Sequence, residues 1–192
     1  MYGVRKQQLK ILNLFLLADG IKSATGIEKM NAIYDAMNVE QLDREEIERY
    51  CSNALYYDGS KDNSAQIIQI MKSILEEDKL TPLLFLDNLN ANKPVQVETI
   101  WNLLNLGYSD KEYSEPEKKI INFLCDYWKV DKKIFKELED SVETLASLFA
   151  QKDWVKTTHK SYDEINNIIT HIDNDIQRVS QNVNITIGEV EL

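Results

Sequence analysis

LNLFLLADGIKSATGIEKMNAIYDAMNV, residues 12–39, lies on LLNLGYSDKEYSEPEKKIINFLCDYWKV, residues 103–130, without a gap at an offset of 91 residues. Leu12/Leu103, Asp19/Asp110, Ser23/Ser114 and Val39/Val130 are identical, and Phe15/Leu106, Met30/Ile121, Ile33/Leu124 and Met37/Trp128 stay apolar. The shared order carries more than the identities: an apolar helix, a loop with an Asp, a capping Ser or Thr, a second amphipathic helix, then an acidic loop that opens a third. A unit of this kind exposes an apolar face when alone and hides it by packing on a like unit. The pair predicts an all-α domain, residues 1–152, built from two related halves at about 5–60 and 95–150.

The flanking sequence extends the helical reading. Three prolines and six glycines in 192 residues leave long stretches free of helix breakers, and apolar spacings of three and four predict helices at about 4–18, 26–38, 44–57, 64–77, 95–107, 115–129, 132–151 and 162–181. Pro82 predicts one further short turn. Thr25 with Glu28, Asp43 with Glu46, Ser114 with Glu117 and Ser161 with Glu164 have the spacing of reciprocal N-terminal caps. With 43% hydrophobic and 28% charged residues, the chain has the composition of one soluble globular domain or two small ones. The longest apolar run, Ile11 to Ala18, is interrupted by Asn13 and is far shorter than the roughly 20 residues of a membrane-spanning helix. No signal-peptide pattern is visible at Met1 to Gln8, so the expected compartment is the cytoplasm. The excess of 32 acidic over 22 basic residues, a net charge of -10, opposes binding to nucleic-acid phosphates or anionic lipid.

Leu16-Leu17-Ala18-Asp19-Gly20-Ile21-Lys22-Ser23 resembles the first helix and loop of the TerB-like proteins, a family named for tellurite resistance. Its pattern is apolar-Ala-Asp-Gly-x-apolar-Ser followed by an acidic residue. Asp110-Lys111-Glu112-Tyr113-Ser114-Glu115-Pro116-Glu117 keeps the Asp, the Ser four residues later and the Glu seven later. The second loop departs from the pattern in having Lys111 in place of Gly, and the first Glu of the first copy falls at position 28, two residues late. Over residues 5–150 the resemblance implies an all-helical bundle of two related halves, of the kind found in bacterial stress-response and phage-defence operons. It further implies divalent-metal binding and assembly with protein partners or near membranes.

Candidate cation ligands are the carboxylates Asp19, Asp110 and Glu117, with Glu28 and Glu115 nearby, because hard divalent cations take several convergent oxygens. The simpler role for the same groups is local: Ser114 and Glu117 form a capping pair, and both aspartates have loop amides within reach. Neither loop has the Asp-x-Asp-x-Asp-Gly calcium spacing. Residues 57–63 offer oxygens too, but Lys61 in their middle would repel a cation. His159 and His171 lie twelve residues apart without the i+4 ligand of a transition-metal pair. Cys51 and Cys125 have the surroundings of buried thiols, with no base in a nucleophile's sequence signature. No phosphate loop, nucleophile elbow or dinucleotide fingerprint occurs, so no catalytic residue is assigned. Lys118-Lys119 and Lys132-Lys133 sit beside acids and read as solvated helix faces. Trp101, Phe123, Tyr127, Trp128, Phe135 and Phe149 are expected in the core of the second half.

The C-terminal segment carries the clearest recognition signal. Tyr162, Ile165, Ile169, Ile172, Ile176 and Val179 follow alternating steps of three and four in a helix assigned to 153–182, and a seam about 30 Å long demands a cover. That cover is either the chain's own bundle or another chain. Val183, Ile185 and Ile187 alternate with polar residues, so 183–192 reads as a strand-like or disordered tail for pairing with a partner's sheet edge. These residues together predict a noncatalytic interaction or adaptor protein, with a protein partner or a second copy bound through the final helix and tail. A divalent-cation sensor using the loop carboxylates is the alternative.

Overall fold

The computed structural model describes residues 3–18, 20, 23–56, 62–77, 89–109 and 113–190. Among them are eight α-helices and no strand: α1 Gly3–Phe15, α2 Ala24–Ala36, α3 Gln41–Ala54, α4 Ser64–Glu77, α5 Lys93–Gly107, α6 Glu115–Trp128, α7 Lys132–Lys156 and α8 Tyr162–Glu189. A 3-10 turn covers Leu89–Ala91, while the turn expected at Pro82 lies outside the described residues. The chain divides into two compact units, Met1–Val130 and Asp131–Leu192. Helix α7, assigned from sequence to the repeat domain, groups instead with α8.

In the first unit α1 and α5 are the central helices. Leu9, Ile11, Leu12, Leu14 and Phe15 bury most of the circumference of α1, against which α3, α4 and α5 pack. Val95, Val97, Ile100, Leu103, Leu104 and Leu106 do the same for α5, which also meets α2 and α6. A helix this apolar on so many sides is stable only when surrounded. Several of the polar groups this burial encloses are paired, which offsets their desolvation, while Gln8 Nε2 on α1 is buried with no hydrogen-bond partner among the described residues. Asn13 Nδ2 donates to the Leu9 carbonyl at 2.9 Å and to the Tyr34 hydroxyl at 2.7 Å, and burial pushes the Tyr34 phenol up to about 12. Gln96 Nε2 donates to the carbonyls of Leu89 and Asn90, both at 2.9 Å, and so ties the 3-10 turn to α5.

The expected aromatic core is largely aliphatic. Trp101, Phe123, Tyr127, Trp128 and Phe135 are half-buried and Phe149 is exposed, whereas Ile100, Leu103, Ile120, Ile121 and Leu124 are fully enclosed. The rings lie at the margins of their helix faces, where a large side chain covers the core while keeping one edge in water.

The 91-residue offset has a structural counterpart. Shifted by 91, α1 becomes 94–106 beside α5 at 93–107, α2 becomes 115–127 beside α6 at 115–128, and α3 becomes 132–145, the start of α7. The caps follow the same shift: Ser23 and Ser114 are N-caps whose hydroxyls accept from Gly26 N and Glu117 N. Asn38 and Lys129 are both left-handed, with φ of 52° and 57°. The next amide returns to the preceding helix in each case, Val39 N to Tyr34 O and Val130 N to Cys125 O, both at 3.0 Å.

Two of the four expected capping pairs form as reciprocal boxes, Ser114/Glu117 and Ser161/Glu164. The other two do not. Ser23, held extended, caps α2 two residues before Thr25. Helix α3 begins at Gln41, before Asp43, and Glu46 instead pairs with Lys6 at 2.7 Å. Helix α1 stops at Phe15, earlier than the expected 18, because Leu17 N and Ala18 N turn back to Leu14 O and Phe15 O in i→i+3 bonds.

In the second unit the strand-like tail is overturned: α8 continues through Val183, Ile185 and Ile187 to Glu189. An existing helix adds each residue without a new nucleation cost, and the lower helix propensity of Val, Ile and Thr costs only tenths of a kcal/mol apiece, roughly 0.5. Burial of Val183 and the Thr186 hydroxyl's bonds to Glu137 Oε1 at 2.9 Å and the Asn182 carbonyl at 3.1 Å offset that cost.

Candidate functional site

Helices α7 and α8 form an antiparallel hairpin joined at residues 157–161. Lys152 Nζ meets Asp173 Oδ1 at 2.5 Å and Thr186 Oγ1 meets Glu137 Oε1 at 2.9 Å, so contacts that descend along α7 ascend along α8. At 25 and 28 residues the helices are about 37 and 42 Å long. Ile134, Leu138, Ser141, Leu145, Leu148, Lys152 and Val155 of α7 advance in strict steps of four and three, and each is buried or half-buried. Ile165, Ile169, Ile172, Ile176, Val179 and Val183 do the same on α8. This is the alternation that keeps two helices in register as a coiled-coil seam.

The first occupant of the predicted seam is therefore α7 of the same chain. Of the nine residues assigned to partner binding, Ile172 and Val183 are buried; Ile165, Ile169, Ile176, Val179 and Ile187 are half-buried; Tyr162 is 80% exposed and Ile185 56%. Phe149 and Trp154 on α7 are also exposed, at 52% and 64%. Sequence spacing located the α8 half of this surface but missed the α7 half, because Ser141 and Lys152 interrupt the apolar register there. Lys152 reaches its place by laying its stem along the seam and its ammonium on Asp173.

The loop carboxylates give a separate candidate. Asp19 and Asp110 lie outside the described residues. Gly20, the next residue, turns at φ 75°. Just before it, Asn63 holds the strand of loop that leads to Asp19: its backbone N–H donates to Ala18 O at 2.9 Å and its Nδ2 to Leu17 O at 3.0 Å. Glu117 is buried, and its Oε2 accepts from Ser114 N at 2.9 Å and meets Ser114 Oγ at 3.0 Å. Asp62 Oδ2 meets Lys119 Nζ at 2.6 Å. That lysine, followed by the Ser64 hydroxyl and amide, holds the Asp62 carboxyl down at about 2. Among the described residues no three His, Cys, Asp or Glu side chains gather as a metal site would require.

The remaining reactive side chains sit in quiet surroundings. His159 and His171 are exposed. Cys51 is buried with its Sγ 3.5 Å from Lys10 O, and burial, helped by Asp126, pushes the Cys125 thiol up to about 12. No helix among the described residues is long and apolar enough to cross a membrane. Comparison with family models, with curated proteins and with solved structures returns no match.

Proposed function

We propose that this chain is a noncatalytic, TerB-like adaptor of a bacterial stress-response or phage-defence system, in which the α7–α8 hairpin docks a protein partner. The observation that carries the reading is the state of the hairpin: a compact unit with its own seam that still presents Phe149, Trp154, Tyr162 and Ile185 to solvent. Scattered exposed apolar residues are ordinary on a protein surface. Four large ones on a single two-helix hairpin are less so. The first unit, with its matched caps and 91-residue offset, supports descent from two related halves and serves as a rigid acidic body.

Cutting the chain after Val130 removes α7 and α8 together, whereas a cut at 160 would strip α8 from buried Leu138, Val142, Leu145 and Val155. The expected result for residues 1–130 is a retained helical spectrum and cooperative melting with loss of the partners that the full chain copurifies. Undiminished copurification by residues 1–130 would sink the adaptor reading.

A further inference from the structure

Between the first turn of α1, the last turn of α2 and the middle of α5, the first unit holds a cleft of about 330 Å³ lined by Arg5, Ile33, Ala36, Met37, Glu98 and Asn102. That volume is at the lower end of the range of small-molecule sites. One wall is apolar, built from Ile33, Ala36 and Met37 where α2 ends. The other carries one cation, one anion and one amide.

Arg5 is held on two sides through a single nitrogen. Its Nη1 donates to Gln8 Oε1 and to Glu98 Oε2, both at 2.7 Å. Its Nε and Nη2 donate to nothing among the described residues, which leaves open the fork-shaped edge that takes a carboxylate through two parallel hydrogen bonds. The Asn102 side chain likewise makes no hydrogen bond among the described residues. Beneath this wall Gln8 is fully buried, with its Oε1 spent on Arg5 and its Nε2 unpartnered among the described residues. A surface ion pair needs no such support, and a buried amide with an unmet donor lowers stability. What the arrangement gains is a guanidinium fixed in place before a ligand arrives.

Charge decides the ligand class. A bare carboxylate on Arg5 is repelled by Glu98, and a bare amine on Glu98 is repelled by Arg5, whereas a molecule with both charges satisfies each. The carbonyl end of α2, with no basic residue in its last turn, adds to the attraction for an ammonium group. We propose that this cleft binds a free α-amino acid with an apolar side chain. Its carboxylate lies on the open edge of Arg5 and the Asn102 amide, its ammonium faces Glu98 and the end of α2, and its side chain rests on Ile33 and Met37. The site belongs to the first unit and does not depend on the docking role of the hairpin.

Ligand-observed NMR and thermal melting of the full chain provide the test, with leucine, isoleucine, valine, methionine and phenylalanine as probes. Isocaproate and isoamylamine accompany them, since each keeps the leucine side chain and lacks one of its two charges. At least one of the amino acids should bind and raise the melting temperature, as a ligand of the native state alone must. The two analogues should bind about tenfold or more weakly, because each leaves a charged group of the cleft unpaired. Arg5→Lys keeps the charge but loses the fork, and should weaken amino-acid binding about tenfold or more. Ala36→Trp, at an exposed position, fills the cleft without altering its polar wall and should abolish binding. Circular dichroism checks that both variants fold. Absence of binding by every amino acid at millimolar concentration overturns the proposal. Isocaproate binding as tightly as leucine assigns the cleft to plain carboxylates and overturns it too, as does binding that both substitutions leave unchanged.

Discussion

Val183 and Ile185 give opposite answers depending on whether residues 183–187 form a strand or the last turns of α8. In a strand the two side chains share a face; on a helix they lie about 200° apart. Val183 is 2% exposed. Val183→Ala removes two buried carbons at about 0.8 kcal/mol each, to which incomplete collapse of the site adds and from which alanine's better helix propensity subtracts about 0.5 kcal/mol. The net cost is about 1–2 kcal/mol, or a roughly tenfold larger population of the locally open state. Ile185, 56% exposed, faces away, so Ile185→Ala should change stability by no more than about 0.5 kcal/mol. Amide hydrogen exchange on the full chain, read over peptides of α7 and α8, measures both openings directly. The helical account expects lost protection in both helices for Val183→Ala and almost none for Ile185→Ala. Equal effects of the two substitutions, or no effect of either, would refute it.

Three further outcomes follow from the first unit and its thiols. Ser23→Ala should lower thermal stability by about 1 kcal/mol through loss of the α2 cap, while Thr25→Ala stays within about 0.5 kcal/mol; the reverse order would restore Thr25 as the cap. The Asp62 carboxyl, held at about 2 by Lys119 and Ser64, lies below the roughly 3.9 of an unfolded aspartate. Its stabilising contribution is thus complete above about pH 4 and is lost as pH falls toward 2. Carboxyl NMR titration should show that low midpoint, and Lys119→Met should raise it; a wild-type midpoint near 4 would contradict the pairing. Cys125, pushed up to about 12, should resist iodoacetamide at pH 8 in the folded chain and react after unfolding, since the thiolate is the nucleophile.

Helix existence was legible because it rests on local physics. Breaker-free stretches with apolar spacings of three and four set eight helices, and the 91-residue offset already paired Ser23 with Ser114, both of which are N-caps; the matching left-handed ends at Asn38 and Lys129 emerge only from the structure. Both of those ends close with the same backward hydrogen bond. What local pattern could not resolve was competition. Thr25 and Ser23 both suit a cap, and the extended backbone at Ser23 chose between them. The alternation at Val183, Ile185 and Ile187 suits a strand, yet a helix already nucleated upstream and buried at Val183 against α7 is the cheaper continuation.

The amino-acid order by itself determined an acidic, all-helical chain with a repeated helix–loop–helix pattern and an apolar seam on the last helix, since each of these is a property of neighbours three, four or ninety-one places apart. Only the tertiary structure decided what that seam meets. Ser141 and Lys152 hide the complementary register of α7 from any hydrophobicity pattern, because a small side chain and a snorkelling lysine fit a seam by shape and not by apolar character. Whether a helix face is core or surface depends on which other helix lies over it, and that is settled by burial summed across both partners, a quantity that neither segment contains alone.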